Sequence, residues 1–109
     1  MKNQDFQMIY KNGKSYVNKY LVMYVLKNNI SENRLGISVS KKVGNSVVRH
    51  HITRLIRESF RLNKNFIKDG NDIIIVARTN AKDKSFKENE SAFIHLAKLH
   101  NIIDDSLEM

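Results

Sequence analysis

The feature that most constrains the fold is a stretch with helical period, SVVRHHITRLIRESFRLNKNF, which follows a Gly-Asn turn. Projected at about 100° per residue, its apolar stripe spans a sector of about 100° and contains Val48, Ile52, Leu55, Ile56 and Ser59. The Gly44-Asn45-Ser46 turn supplies a capping side chain just before this stripe begins. A long helix with one apolar side must pack that side on a second layer, so we expect a layered domain.

The remaining elements alternate between helical and strand patterns. Amphipathic helices are predicted near residues 6–10, ending at a left-handed Gly13, and from Ser85 to about Ile102. Strands are predicted at about residues 19–27, 34–42 and 72–78. We therefore expect a single domain over residues 1–109, an α+β two-layer sandwich in which helices pack on a small mixed sheet. The predicted order is α-β-β-α-β-α, with a further short strand allowed.

The strand at residues 19–27 carries apolar side chains on both faces, with Tyr24 on one and Met23 on the other. Either the sheet is covered on both sides, or one of its faces lines a cleft. The next strand alternates with period two, which predicts Leu35 and Ile37 facing inward and Gly36 facing outward.

The charge of the chain is concentrated in its middle third. The net charge is +8, residues 34–68 alone carry +8, and residues 69–109 carry −3. His50, Arg54, Arg57 and Arg61 lie within a sector of about 60° opposite the apolar stripe of the long helix. Like charges at this spacing repel one another. We therefore expect a polyanionic partner, although an ordinary solvated surface is the alternative.

Several classes of site are not expected. The chain has no Cys, which excludes disulfides and thiolate ligands. The His50-His51 pair and the separate His95 and His100 are not spaced to bind a metal, and no catalytic triad or phosphate-binding loop is present. No secretory signal or membrane span is predicted, so we expect a soluble, cytoplasmic protein without a membrane partner.

The segment SVSKKVGNSVVRHHITRLIRESFR resembles the signature of the bacterial ribonuclease P protein subunit, and the similarity extends over about residues 4–100. The resemblance implies a sandwich with a left-handed βαβ crossover. It also implies a protein that contributes no catalytic residue to an endoribonuclease whose catalyst is RNA, with Mg²⁺ on the RNA and no cofactor on the protein. The expected partners are ribonuclease P RNA and precursor tRNA, whose 5′ leader the protein helps to remove.

The resemblance also implies two binding surfaces. The surface for the catalytic RNA contains Lys41, Lys42, Asn45, Arg49, Arg54 and Arg57, to which the helical projection adds His50 and Arg61. A cleft for the single-stranded leader is lined by Phe6, Tyr10 and Tyr24. Aromatic rings in a positive groove suit stacked single-stranded bases, whereas the alternative is ordinary core filling.

Two other functions are compatible with a basic helix. A general RNA- or ribosome-binding module would share the basic helix but would have no enzymatic partner. A DNA-binding regulator is disfavoured because the helix lacks amide side chains directed at bases and the order of elements lacks a helix-turn-helix.

The sequence departs from the family signature, Arg-Asn-Arg followed one residue later by Lys, at His50, His51 and Thr53. Because imidazoles gain a proton near neutral pH, we expect RNA affinity to depend on pH more steeply than arginines alone would give.

Overall fold

The computed structural model describes residues 1–104, and its elements follow the predicted order with the additional short strand. They are α1 (Asn3–Asn12), β1 (Lys14–Val17), β2 (Leu21–Lys27), β3 (Arg34–Ser38), α2 (Ser46–Asn63), β4 (Asn71–Ala77) and α3 (Phe86–Leu99), with short 3₁₀ turns at Lys64–Phe66 and Thr79–Ala81. The predicted α+β class is confirmed. The single domain predicted over residues 1–109 extends past the described part of the chain and stays a prediction.

One mixed sheet organises these elements, in the order β1-β2-β4-β3. The β1–β2 and β2–β4 pairs are antiparallel, and β3 and β4 are adjacent and parallel. The helix α2 connects these two parallel strands, which makes β3, α2 and β4 the βαβ unit of the fold. The left-handedness of this crossover stays a prediction.

The main core lies between one face of the sheet and the helices α2 and α3. Met23 and Ile75 from the sheet pack there with Ile52 and Ile56 of α2 and with Phe93 of α3, and each of these side chains is at most 2% exposed. The apolar stripe predicted for the long helix is therefore its core-facing side.

The opposite face of the sheet is covered by α1, which packs on β2 and β4, and Ile9 and Ile74 are buried on this side. This arrangement corrects the expectation that Gly36 faces outward, because Gly36 is buried beneath the Phe6 ring. A Cβ atom at this position would lie 2.6 Å from Phe6 Cζ. The missing side chain of Gly36 makes room for the ring of Phe6.

The helix α1 ends at Gly13 as predicted, but the left-handed conformation predicted for Gly13 is wrong. Its backbone is extended, with φ −78° and ψ 160°, and its N–H donates to the carbonyl of Ile9. Glycine is required there by close approach, since a Cβ would lie 2.6 Å from the Ile9 oxygen and 3.0 Å from the Val25 oxygen.

We expect Gly13→Ala to lower the free energy of unfolding by about 1–3 kcal/mol, because the added methyl meets two backbone oxygens that cannot turn aside. Urea denaturation measures the effect. The matched control is Ser15→Ala at an exposed position of β1, which should change stability by less than about 0.5 kcal/mol. Equal stability of the Gly13 variant and the wild type would contradict the close approach.

The last helix is shorter than predicted and ends at Leu99. Asn101 adopts a left-handed conformation with φ 59°, and the N–H of Ile102 donates a hydrogen bond to the carbonyl of Ala97. This is a Schellman-type end, in which asparagine takes the place that glycine usually occupies. Ile102 is buried beyond the helix and not within it.

Candidate nucleic-acid interface

The long helix α2 presents its predicted basic residues on the side away from the core. His50, Arg54, Arg57 and Arg61 are all exposed and are called the basic face below. Arg54 and Arg57 form no ion pair within residues 1–104. The predicted charge repulsion along α2 is therefore not relieved at these two positions.

Arg61 differs from its neighbours on the basic face. It forms two hydrogen bonds with Glu58, one of them from Nε to Oε2 at 2.9 Å and the other from Nη2 to Oε1. These hydrogen bonds lower the pKa of Glu58, so the carboxylate stays charged and the pair persists near neutral pH. A phosphate would have to compete with Glu58 for the guanidinium of Arg61. The role of Arg61 as an RNA contact stays a prediction.

The start of α2 is organised by Asn45, whose side-chain oxygen accepts a hydrogen bond from the Val48 N–H at 3.0 Å. Asn45, which is predicted to contact RNA, is thus the N-cap of the helix. The Asn45 side chain is exposed, so its amide nitrogen lies at the surface. Lys41 and Lys42 lie exposed in the preceding turn. Val43 is 5% exposed and anchors this turn to the core.

Arg49 is the one predicted contact on α2 that is half-buried. Its Nε atom is shielded from solvent and has no hydrogen-bond partner in the described protein. Thr53 donates its hydroxyl hydrogen bond back to the Arg49 carbonyl at 2.9 Å. An unpaired buried N–H costs about 1–3 kcal/mol, so Arg49 is poorly satisfied in the free protein.

The three predicted cleft residues form one aromatic cluster. The rings of Phe6 and Tyr10 lie 6.1 Å apart, and those of Tyr10 and Tyr24 meet edge to face at 4.8 Å. Tyr10 is 39% exposed, whereas Phe6 and Tyr24 are half-buried. Phe6 fills the interface between α1 and β3, while Tyr10 presents its ring at the surface. The contact of these three residues with a leader stays a prediction.

The sequence patterns did not predict a row of small side chains beside this cluster. The row crosses all four strands through paired positions on the face that carries α1, and it contains Val17, Val22, Val76 and Ser38. We call it the open row. Val17 is 56% exposed and the others are half-buried. The apolar residues on both faces of β2 indicated that one face of the sheet could line a cleft. They did not indicate which positions stay uncovered, because this depends on where α1 packs.

The described chain shows neither a metal cluster nor a membrane-spanning helix. Among residues 1–104, no group of three or more His, Asp and Glu side chains is arranged to hold a metal ion. His50 and His51 are exposed, and the ring Nε2 of His100 lies 2.8 Å from the Met23 carbonyl. No helix of the described chain is long and apolar enough to cross a membrane.

Known proteins share the sequence pattern and the fold of this chain. The family model for ribonuclease P matches residues 1–100. The ribonuclease P protein component of Lachnoclostridium phytofermentans is 65% identical over 104 residues, which cover 95% of this chain and 90% of that protein.

Two solved structures share the fold. The ribonuclease P protein of Staphylococcus aureus has a TM-score of 0.88 and 44% identity, with 95% of each chain covered. That of Thermotoga maritima has a TM-score of 0.85 and 34% identity, covering 91% of this chain and 94% of the other. The chain therefore belongs to the ribonuclease P protein family, the protein subunits of the ribonucleoprotein endonuclease that matures the 5′ ends of tRNA.

Proposed function

We propose that this chain binds the RNA subunit of ribonuclease P with the basic face of α2 and the turn before it. The observation that carries the proposal is that Arg54 and Arg57 are exposed, lie opposite the core and have no carboxylate partner within the described residues. RNA phosphates would provide the missing negative charge.

The geometry of α2 suits a run of phosphates. From His50 to Arg61 the helix rises about 16 Å, which spans several phosphates of one strand. Lys41 and Lys42 extend the positive surface beyond the N-terminus of α2, where free backbone N–H groups also favour an anion. The unpaired Nε of Arg49 provides a further donor at this end if the side chain moves on binding.

The second surface would take the 5′ leader of precursor tRNA. Tyr10 offers an exposed ring for base stacking, and the open row provides a shallow apolar floor beside it. Base stacking on aromatic rings tolerates any sequence, which suits leaders that differ between tRNA genes. The leader would therefore lie along the face of the sheet that α1 only partly covers.

The protein would act by holding RNA and would not perform the hydrolysis itself. Cleavage would use Mg²⁺ ions bound by the RNA subunit, which activate the attacking water. Positive side chains between two RNA molecules lower their repulsion, so less Mg²⁺ would be needed to bring them together. We place this activity in the cytoplasm, where bacterial precursor tRNA is made.

Reconstitution with a bacterial ribonuclease P RNA tests the proposal. We expect the chain to stimulate precursor tRNA cleavage most strongly at low Mg²⁺, where the RNA alone is slow, and to lose its advantage as Mg²⁺ is raised. The rate of cleavage with and without protein, followed across a Mg²⁺ titration, provides the measurement. Binding to the RNA without any stimulation would instead favour a general RNA-binding module.

A further inference from the structure

A charged network joins three parts of the chain on the face of the sheet that carries α1. Asp72 of β4 is only 5% exposed and accepts hydrogen bonds from Arg34 Nε at 2.8 Å and Nη2 at 2.6 Å. Asn28, in the loop after β2, donates a third at 2.8 Å. Arg34 and Asn28 lower the pKa of Asp72 against the opposing effect of burial, so the carboxylate stays ionised and holds the guanidinium of Arg34 in place.

The same guanidinium also reaches α1. Its Nη2 lies 3.7 Å from Asp5 Oδ1, in the first turn of that helix, while the other oxygen of Asp5 accepts a hydrogen bond from the Lys2 N–H at 2.9 Å. A guanidinium can contact two carboxylates because its five N–H donors point outward in one plane. Arg34 therefore ties the sheet to the start of α1.

A second contact lies next to this one. Gly36 follows Arg34 by two residues on β3 and so shares its face of the sheet, directly beneath the ring of Phe6. Phe6 is the neighbour of Asp5 in α1. One turn further along the helix, Tyr10 meets Tyr24. The position of the first turn of α1 on β3 thus sets where the exposed ring of Tyr10 stands relative to the open row.

We propose that Arg34 is a positioning residue for the leader, an inference that rests on the proposed function. It holds α1 over β3 through Asp5, and so keeps the aromatic cluster at the edge of the open row. Loss of this tie lets the first turn of α1 shift, and the stacking surface for the leader then loses its fixed place. Arg34 acts through α1 and not through the basic face of α2, so binding of the RNA subunit is unaffected.

The test compares reconstituted holoenzymes carrying Asp5→Asn, Arg34→Gln or both. The measured quantity is the ratio of the dissociation constants for tRNA without a leader and for precursor tRNA with a single-stranded leader. We expect each single variant to lower this ratio about fivefold, and the double variant to lower it no further, because both substitutions break one contact. Each holoenzyme is assembled with saturating folded protein, because RNA without protein would bind both substrates alike and would itself lower the ratio.

Two further variants sharpen the test. Glu32→Gln removes the same charge as Asp5→Asn from an exposed loop residue and should leave the ratio unchanged. Gly36→Ala displaces the Phe6 ring without altering charge and should lower the ratio as Asp5→Asn does. Because Arg34→Gln leaves the buried Asp72 unpaired and can prevent folding, Asp5→Asn and Gly36→Ala decide the outcome if it does.

The outcomes separate the two proposals. If the wild type discriminates between the substrates and the Asp5 and Gly36 variants discriminate equally well, the positioning role is wrong while the leader surface stands. If the variants weaken binding of both substrates equally, Arg34 has no role specific to the leader. If the wild type itself binds both substrates equally, the leader surface and the positioning role fail together.

Discussion

We expect the combined substitution of Arg54→Ala and Arg57→Ala to weaken binding of the RNA subunit about a hundredfold. Each charged hydrogen bond to a phosphate contributes about 1.5–3 kcal/mol, or about tenfold or more in affinity, and two separate contacts should add. Both side chains are exposed and have no ion-pair partner within the described residues, so their removal should not destabilise the fold. Filter binding or fluorescence anisotropy at fixed salt gives the dissociation constants.

Two controls show whether position or total charge is responsible. Lys11→Ala with Lys27→Ala removes the same two charges from exposed sites on α1 and β2, away from α2, and should weaken binding less than about threefold. Arg61→Ala should also have a small effect, because Arg61 is already paired with Glu58. Equal losses for the Arg54/Arg57 and Lys11/Lys27 variants would mean that the protein binds RNA through its net charge alone.

The second large effect concerns the leader surface. We expect Tyr10→Ala to weaken binding of precursor tRNA by about 5- to 150-fold, because stacking of one base on an aromatic ring contributes about 1–3 kcal/mol. Binding of tRNA without a leader should not change. The dissociation constants of both substrates for the reconstituted holoenzyme provide the measurement.

The chain offers two matched controls for Tyr10. Tyr10→Phe keeps the ring and should bind the leader like the wild type, since stacking does not need the hydroxyl group. Met8→Ala removes an apolar side chain that is 59% exposed on the same helix but lies outside the aromatic cluster, and it should have little effect. If Tyr10→Ala binds precursor tRNA as tightly as the wild type, Tyr10 does not contact the leader.

The long helix shows how far sequence alone can go. Its period, its Asn45 cap and the opposition of its apolar and basic sides depend only on residues close in sequence, and all three are present in the structure. The ion pair between Arg61 and Glu58 could also be predicted from sequence, because residues three apart on a helix are neighbours.

The proposed leader surface could be predicted only in part, because its shape depends on contacts between distant segments. The period of α1 indicates that Phe6 and Tyr10 share a side, but not that Phe6 rests on Gly36 while Tyr10 stays exposed. The tie between Asp5 and Arg34 joins residues far apart in sequence and has no local signal. The sequence likewise indicates a helix end at Gly13, but it does not indicate that the carbonyl of Val25 lies close enough to exclude a side chain there.

The salt dependence of binding to the RNA subunit tests the phosphate contacts of α2 most directly. If five or six cations contact phosphates, the logarithm of the binding constant should fall against the logarithm of salt concentration with a slope of roughly −3.5 to −5. The Arg54/Arg57 variant should be less steep by about 1.4–1.8, the contribution of two contacts. A wild-type slope near zero, or an unchanged slope in the variant, would contradict RNA binding by the basic face of α2.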